Sequence, residues 1–505
     1  MKLSETEVLI SGAGPTGLFA ACQLAQWGIQ FRIIEKGSAF SNFSRALAIQ
    51  ARTLEIFEQI GIAEKVISQG ERIKGILLLF KNKMAIGDLG DLGEDITPYP
   101  FLLVLPQDKT EKILAEHLEK QGGKVEWQTQ LISLQEKPDS ISGIISGPNG
   151  EEKIQAQYII GADGAHSTVR HSLGIEFIGD SYEHNFYLGD LEVHWELPRG
   201  YAVLSPAEEG LNGFFPMPGE LRYRVLGIIP ESEEGKKVDL GLVQKILDER
   251  VPVQVRVSDP HWLSQYKLHH RFAKSFRQGR AFLCGDAGHI HSPAGGQGMN
   301  TGLQDAHNLA WKLASVLRKK TSSHILNSYE EERLPFAKQL VTETDRLFTL
   351  MTGQKRISKL IRRFILPFLV PVLFSFPMIR RKIFKRISQT QISYKNSLLS
   401  EAVSSKLSGI RLPHAKLSTG ESVLNKIDNS NFHLILLENV KLDHLDSVWP
   451  GLKIHTLTPG SEPNFAKAVR MKKGMILVRP DQYIAFQSEK ISIPGLKRYF
   501  AKINV

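Results

Sequence analysis

The chain has 505 residues, 42% hydrophobic and 23% charged, which is an ordinary globular balance and too long for one core, so two or three domains are expected. Its net charge of +10 is local: ten Lys or Arg and no acid fall between Lys355 and Arg386, and the remainder nets to zero, which argues against a nucleic-acid-binding surface spread over the molecule. Two cysteines, Cys22 and Cys284, exclude a disulfide framework and suggest a reducing compartment.

The opening MKLSETEVLI lacks a basic stretch followed by an apolar one, so no secretory signal is read and a cytoplasmic location is the default. EVLIS then reads as a strand, GAGPTGLFAACQLAQWG as a glycine turn running into a helix that stops at Gly28, and IQFRIIEK as a second strand. That order is a βαβ unit with a parallel sheet. An amphipathic helix is predicted at TEKILAEHLEKQGG, then antiparallel strands with a hairpin turn at Asn149-Gly150. From about 175 to 278 alternating segments such as FYLGDLEVHWEL and LRYRVLGIIP predict a sheet with one face covering something. After residue 280, RAFLCGD and GLQDAHNLAWKLASVLRKK look like the first domain resumed, and FHLILL, KIHTLT, MILVRP and YIAFQS predict strands of a last unit.

Gly12-Ala13-Gly14-Pro15-Thr16-Gly17 fits GxGxxG between a strand and a helix. The first glycine permits the tight turn, the second lets backbone approach a pyrophosphate, and the third allows close helix–strand packing. Glu35, at the end of the second strand, is placed to accept from a ribose hydroxyl and disfavours a 2′-phosphate. The bound nucleotide is therefore expected to be FAD or NAD rather than NADP. The stretch CGDAGHIHSPAGGQGMN adds an acid at a strand end and a loop able to wrap the other half of a long cofactor. A metal site is not expected there, because His289 and His291 lie two apart with Asp286 and His307 outside zinc-ligand spacing. Ser292 lacks the GxSxG frame of a nucleophile elbow.

Three spaced blocks, GAGPTG with Glu35, GADGAHSTVR, and GDAGHIHSPAGGQGMNTGLQDAHNLAWKLA, make the chain resemble the flavin-dependent aromatic hydroxylases, the group A monooxygenases related to para-hydroxybenzoate hydroxylase and phenol hydroxylase. The resemblance implies an α/β chain: a Rossmann-like FAD-binding domain (1–174 and 279–350), an inserted, mostly antiparallel substrate-binding sheet (175–278), a basic and apolar helical connection (351–408) and a thioredoxin-like C-terminal domain (409–505). It implies that FAD contacts Gly12, Gly14, Pro15, Thr16, Gly17, Glu35, Lys36, Arg45 and Gln107. In the later blocks it implies Asp163 and Gly164, Asp286 on the ribityl chain, Pro293 beside the isoalloxazine, and the backbone of Gly296, Gly298, Met299 and Asn300 at the ring's carbonyl end. It further implies reduction of FAD by NADH or NADPH, reaction with O2 to a C4a-hydroperoxide, and hydroxylation of a phenolic or polycyclic aromatic ring. Substrate-lining candidates are Tyr187, Phe214, Phe215, Met217, Tyr223 and Pro293; no catalytic base is assigned. Two alternatives stay open: a Baeyer–Villiger or other flavin-dependent oxidation of an aromatic natural product, and a flavin-binding protein without turnover at a membrane surface.

KRISKLIRRFILPFLVPVLFSFPMIRRKIFKR has an uncharged centre, Phe364 to Ile379, broken by three prolines and shorter than the roughly 20 residues of a spanning helix. The expectation is an inter-domain helical hairpin that packs its apolar centre, with peripheral membrane contact through 355–386 as the alternative. No cysteine lies beyond Cys284, so the last domain cannot exchange disulfides; a structural role or homodimer contacts are expected of it.

Overall fold

The computed structural model describes residues 2–40, 46–207, 210–292, 295–352, 360–402, 407–440 and 448–504. The first strand, Lys2–Ser11, pairs in parallel with Phe31–Ile34 on one side and Gly150–Gly161 on the other, with Ile10 opposite Ile33 and Ile160. Val8, Leu9 and Ile10 are wholly buried, as in a parallel strand covered on both faces. Val125–Glu126 and Ala281–Leu283 extend the parallel sheet at its two sides. The chain therefore returns to its first sheet after a long excursion. Gln130–Glu136 and Ile141–Gly147 form a meander on Gly150–Gly161, and the hairpin closes with Gly147 opposite Gly150 at φ +94°.

The excursion builds a second sheet of eight strands, in the order His289–Ile290, Arg256–Ala273, Phe177–His194, Arg222–Ile228, Gly210–Pro216, Tyr201–Ala207, Gly75–Phe80 and Lys83–Asp88. Every pair is antiparallel except Tyr201–Ala207 with Gly75–Phe80. Two of these strands come from residues 75–88 and one from 289–290, so the sheet reaches beyond the expected 175–278. The helix Leu240–Arg250 covers one face, packing Val243, Ile246 and Leu247 on Tyr187, Leu191, Val203, Phe214 and Val225.

The helix Gly298–Leu317 is buried on every side over Asn300–Ser315, as a helix through the middle of a large protein is, and its polar residues there, such as Asp305, Asn308 and Lys312, are taken up by hydrogen bonds. It packs on the helix Pro15–Gln26 and bonds the C-terminal unit through Trp311 Nε1, which donates to Asp481 at 3.1 Å. That unit is a five-stranded mixed sheet ordered Glu401–Ala402, Ile484–Ser488, Met475–Val478, His433–Leu436 and Lys453–Thr456, with helices Pro463–Val469 and Ile493–Ile503. In place of the expected hairpin, the helices Leu366–Ser375 and Pro377–Ile387 meet at a bend of 96°, and their apolar centre is only half packed.

Candidate active site

The glycine turn does three different things. Gly12 sits at φ +102°, and a Cβ there would lie 2.3 Å from the Ala162 carbonyl oxygen. A Cβ on Gly17 would lie 1.9 Å from the Gly12 oxygen, so only hydrogen lets the helix start against the turn. At Gly14 a Cβ would meet nothing within 4 Å. The protein leaves that side open, beside the N-terminus of a twelve-residue helix whose first N–H groups have no intrahelical acceptor. Pro15 at the first helical position removes one such donor and presets the backbone.

Glu35 is held where the sequence places it: Ala13 N donates to Oε2 at 2.9 Å and Gly37 N to Oε1 at 3.0 Å. Each carboxylate oxygen has a second lone pair, so the pair of bonds orients the group without exhausting it. Lys36 beside it is exposed. Asp163 Oδ2 accepts from Val169 N at 3.2 Å and Ser11 Oγ at 3.4 Å, while its Oδ1 is buried with no protein partner. Burial raises its pKa, opposed by the hydrogen bond from Ser167. An unmatched buried acceptor next to an open glycine turn is what a nucleotide's donor would complete.

The later block closes on the first through Thr16. Cβ atoms on Gly285 and Gly302 would lie 2.7 and 2.4 Å from Thr16 Oγ1, so the fingerprint helix and the helix Gly298–Leu317 meet at three small positions. Asp286 stands exposed at the turn Gly285–Ala287. Gly295 and Gly296 take positive φ, +81° and +61°, and bring the chain to the start of the helix, where Gly298 and Met299 are partly exposed. Asn300 is buried and its side chain is committed to the frame. It donates to the carbonyls of Ala48 and Gly296 at 2.8 Å and accepts from Gln50 N and Thr53 Oγ1. Gln107 similarly accepts from Ala46 N at 3.0 Å and donates to Glu111 at 2.8 Å. Burial pushes the Glu111 carboxyl up to about 7.

The histidines of this stretch have protein partners or are shut in. His289 Nε2 lies 2.7 Å from Asp305, whose carboxylate also accepts from Gly285 N and Arg333 Nε. Burial raises the Asp305 pKa, but the charge of Arg333 together with the interactions with His289 and Gly285 outweighs it, leaving the group below its ordinary value. His291 Nδ1 donates to the Ser292 carbonyl at 2.7 Å, which leaves Nε2 as a buried acceptor without a partner, and burial lowers its pKa to about 4. No cluster of three or more His, Cys, Asp or Glu able to hold a metal occurs among the described residues.

The alternation of the second sheet sorts the aromatic candidates into two sets. Tyr187, Phe214 and Tyr223 point to the face covered by the helix Leu240–Arg250; Trp195 packs 4.7 Å from Phe214, and Tyr187 donates to Asn212 at 2.9 Å. They pack in the core between the sheet and that helix, because a register set by burying one face turns alternate positions of each strand toward it. Phe215 and Met217 pack on the other face with Leu47 and Val104 of the first domain. On that same face lies an arrangement the sequence reading missed. Arg224 donates to both oxygens of Asp190 at 2.7 and 2.8 Å and to the Ala46 carbonyl at 3.3 Å, and Trp262 Nε1 donates to Asp190 at 3.0 Å. The signal available was alternation itself: Asp190 and Arg224 are opposite charges directly paired across two strands, on the face away from Leu191, Tyr223 and Val225. Arg45 and Pro293 lie outside the described residues.

A family model described as an FAD binding domain matches residues 5–344. The chain is 32% identical to 6-methylpretetramide 4-monooxygenase of Streptomyces rimosus over 83% of its length and 75% of that protein's. Pentachlorophenol 4-monooxygenase of Sphingobium chlorophenolicum is 30% identical, covering 95% of this chain and 93% of its own. The chain belongs to the FAD-dependent aromatic monooxygenases. Among solved structures, anhydrotetracycline hydroxylase from Streptomyces rimosus matches this monooxygenase with a TM-score of 0.82 and 27% identity over 99% of both chains. The open side of Gly14 and the unmatched Asp163 Oδ1 fit the dinucleotide that membership in this monooxygenase family requires.

Proposed function

We propose that this monooxygenase adds one oxygen atom from O2 to a phenolic or polycyclic aromatic ring, with NADH or NADPH as electron donor. The observation that carries the proposal is the close approach of the two cradle halves at Thr16, Gly285 and Gly302, which sets the start of the fingerprint helix against the first turns of the helix Gly298–Leu317. Bound FAD supplies the electron transfer and oxygen activation; the chain supplies position, charge and dryness. Glu35 receives the ribose, the turn Gly12–Gly17 the pyrophosphate, and Asp286 the ribityl hydroxyls. The helix N-terminus at Gly298–Asn300 stabilises negative charge on a reduced ring.

The substrate occupies the face carrying Phe215, Met217 and Arg224. Asp190 and Trp262 hold the Arg224 guanidinium, whose charge favours a phenolate over a phenol. The relatives named for pentachlorophenol and 6-methylpretetramide support this substrate class. The strand order and directions of the last sheet, an edge pair of parallel strands, Lys453–Thr456 and His433–Leu436, followed on one side by Met475–Val478 and Ile484–Ser488 in antiparallel succession, support a thioredoxin-like unit with a structural role.

The test is product mass after turnover with ¹⁸O2, NADH or NADPH and a panel of phenols and polycyclic phenols. A gain of one ¹⁸O on a ring carbon is expected. NAD(P)H-independent FAD binding with no oxygenated product across the panel would overturn the reading, as would a purified protein that stays colourless with added FAD.

A further inference from the structure

The helical connection leaves an apolar face that no other described residue covers. On the helix Leu366–Ser375, Leu366, Val370 and Phe374 pack on Leu78, Phe80 and Leu204 at the outer strands of the second sheet. The opposite stripe, at spacings of four residues from the turn before this helix to the residue after it, is Phe364, Phe368, Val372 and Phe376, each more than half exposed, with Met378 at 82% just beyond. A helix apolar on every side belongs in an apolar medium, and here protein provides that medium on one side only. The uncovered area is on the order of several hundred Å², at or above what a soluble monomer ordinarily leaves contiguous.

The charge around this face selects what covers it. Residues 360–387 carry seven Lys or Arg and no acid. Arg381 and Arg386 reach Asp95 and Glu343 on neighbouring elements, Arg380 donates to the Asp88 carbonyl, and Lys382 stands exposed. Lys83 lies over the Phe368 ring at 3.6 Å, a cation at the border of the apolar stripe. The two helices meet at a bend of 96° at Phe376, so they do not form one straight span, and no single helix among the described residues is long and apolar enough to cross a membrane. An apolar ridge about three turns long with cations at its border is the arrangement that lies in the plane of a bilayer interface.

We propose that this ridge docks the enzyme reversibly on the surface of a bilayer containing anionic lipid, with Phe364, Phe368, Val372, Phe376 and Met378 entering the acyl boundary and the basic residues meeting the headgroups. The proposal stands apart from the assignment of substrate, because the ridge lies at the outer edge of the second sheet and holds no cradle residue. Full-length, FAD-loaded protein is sedimented with vesicles of phosphatidylcholine alone or mixed with phosphatidylglycerol. About tenfold more protein is expected on the anionic vesicles, falling as salt is raised. The triple variant Phe364→Gln, Val372→Gln, Met378→Gln, altered only at exposed positions, should stay in the supernatant while keeping its flavin absorbance and melting temperature. Lys382→Gln should weaken binding to anionic vesicles without abolishing it. Failure of the parent protein to sediment with either vesicle overturns the proposal, as does a triple variant that binds as well as the parent. A dimer seen by light scattering that the triple variant converts to monomer would also overturn it, since a second copy would then be the cover.

Discussion

Two polar regions of the molecule lie on opposite sides of the helix Gly298–Leu317 and are built on opposite terms. Toward the C-terminal unit, Glu332 accepts from Lys312, Asn308, Ser397 and both terminal nitrogens of Arg479, and Arg479 in turn donates to Asp481. All four charged side chains are essentially inaccessible. Burial lowers Lys312 to about 8; burial would raise Glu332, but the charges of Arg479 and Lys312 with the hydrogen bonds from Arg479 and Asn308 together hold it well below the usual carboxylate range. Toward the glycine turns, Asp163 keeps an acceptor unmatched, Gly14 faces open space and Asp286 is exposed. The first region is closed with protein partners and ties domains together; the second is left incomplete for a ligand to finish. Charge alone does not separate them, whereas unmet hydrogen-bonding capacity does.

Mutations should move stability in the first region and cofactor affinity in the second. The largest effect is expected from Glu332→Ala, which leaves Lys312 and Arg479 buried with one carboxylate fewer; about 3–5 kcal/mol of stability should be lost in chemical denaturation. Gly17→Ala and Gly14→Ala split the fingerprint itself. The first should lower stability by about 3 kcal/mol through overpacking against the Gly12 oxygen. The second should leave the melting temperature of FAD-free protein near that of the parent while weakening FAD binding about tenfold or more, measured by fluorescence titration. Asp286→Ala and Asp163→Asn should each cost about 1.5–3 kcal/mol of FAD affinity, roughly 10–100-fold. If Asp163→Asn instead destabilises the FAD-free protein as Glu332→Ala does, the contrast between the regions fails.

The smallest effect lies between the two, at Glu111. Its folded pKa, about 7, stands above the ordinary 4.5, so the folded state holds a proton that the unfolded chain releases. Stability should therefore fall as pH rises from about 4.5 through 7 and level off above it. Glu111→Gln should remove on the order of 1–2 kcal/mol of that slope, read from urea midpoints between pH 5 and 8.

Legibility in the sequence followed the range of the interaction. The turn at Gly12–Gly17 and the bond from Ala13 to Glu35 are local to one βαβ unit, and spacing was enough to place them. GILLLF reads as a strand by itself, but its parallel partner is Tyr201–Ala207, more than a hundred residues on, so nothing nearby assigns it to the second sheet. Phe214 and Phe215 are neighbours of equal propensity. Their opposite fates depend on which face the helix Leu240–Arg250 covers. Asp305 sat inside a quoted helix as one more polar residue, and its partners Gly285, His289 and Arg333 come from three other elements. The histidines that suggested metal are explained by that carboxylate and by the Ser292 carbonyl.

By itself the sequence determined the cofactor class, the resumption of the first domain after residue 280, and the place of the basic segment. These follow from glycine sterics, hydrophobic period and charge count, which act between near neighbours. Only the tertiary structure decided which aromatic residues face the nucleotide side, which buried charges are closed with partners, and that the apolar bent pair of helices is covered on one side alone. Those outcomes depend on pairings across a hundred residues or more, where burial of one face chooses among registers that local preference leaves equal.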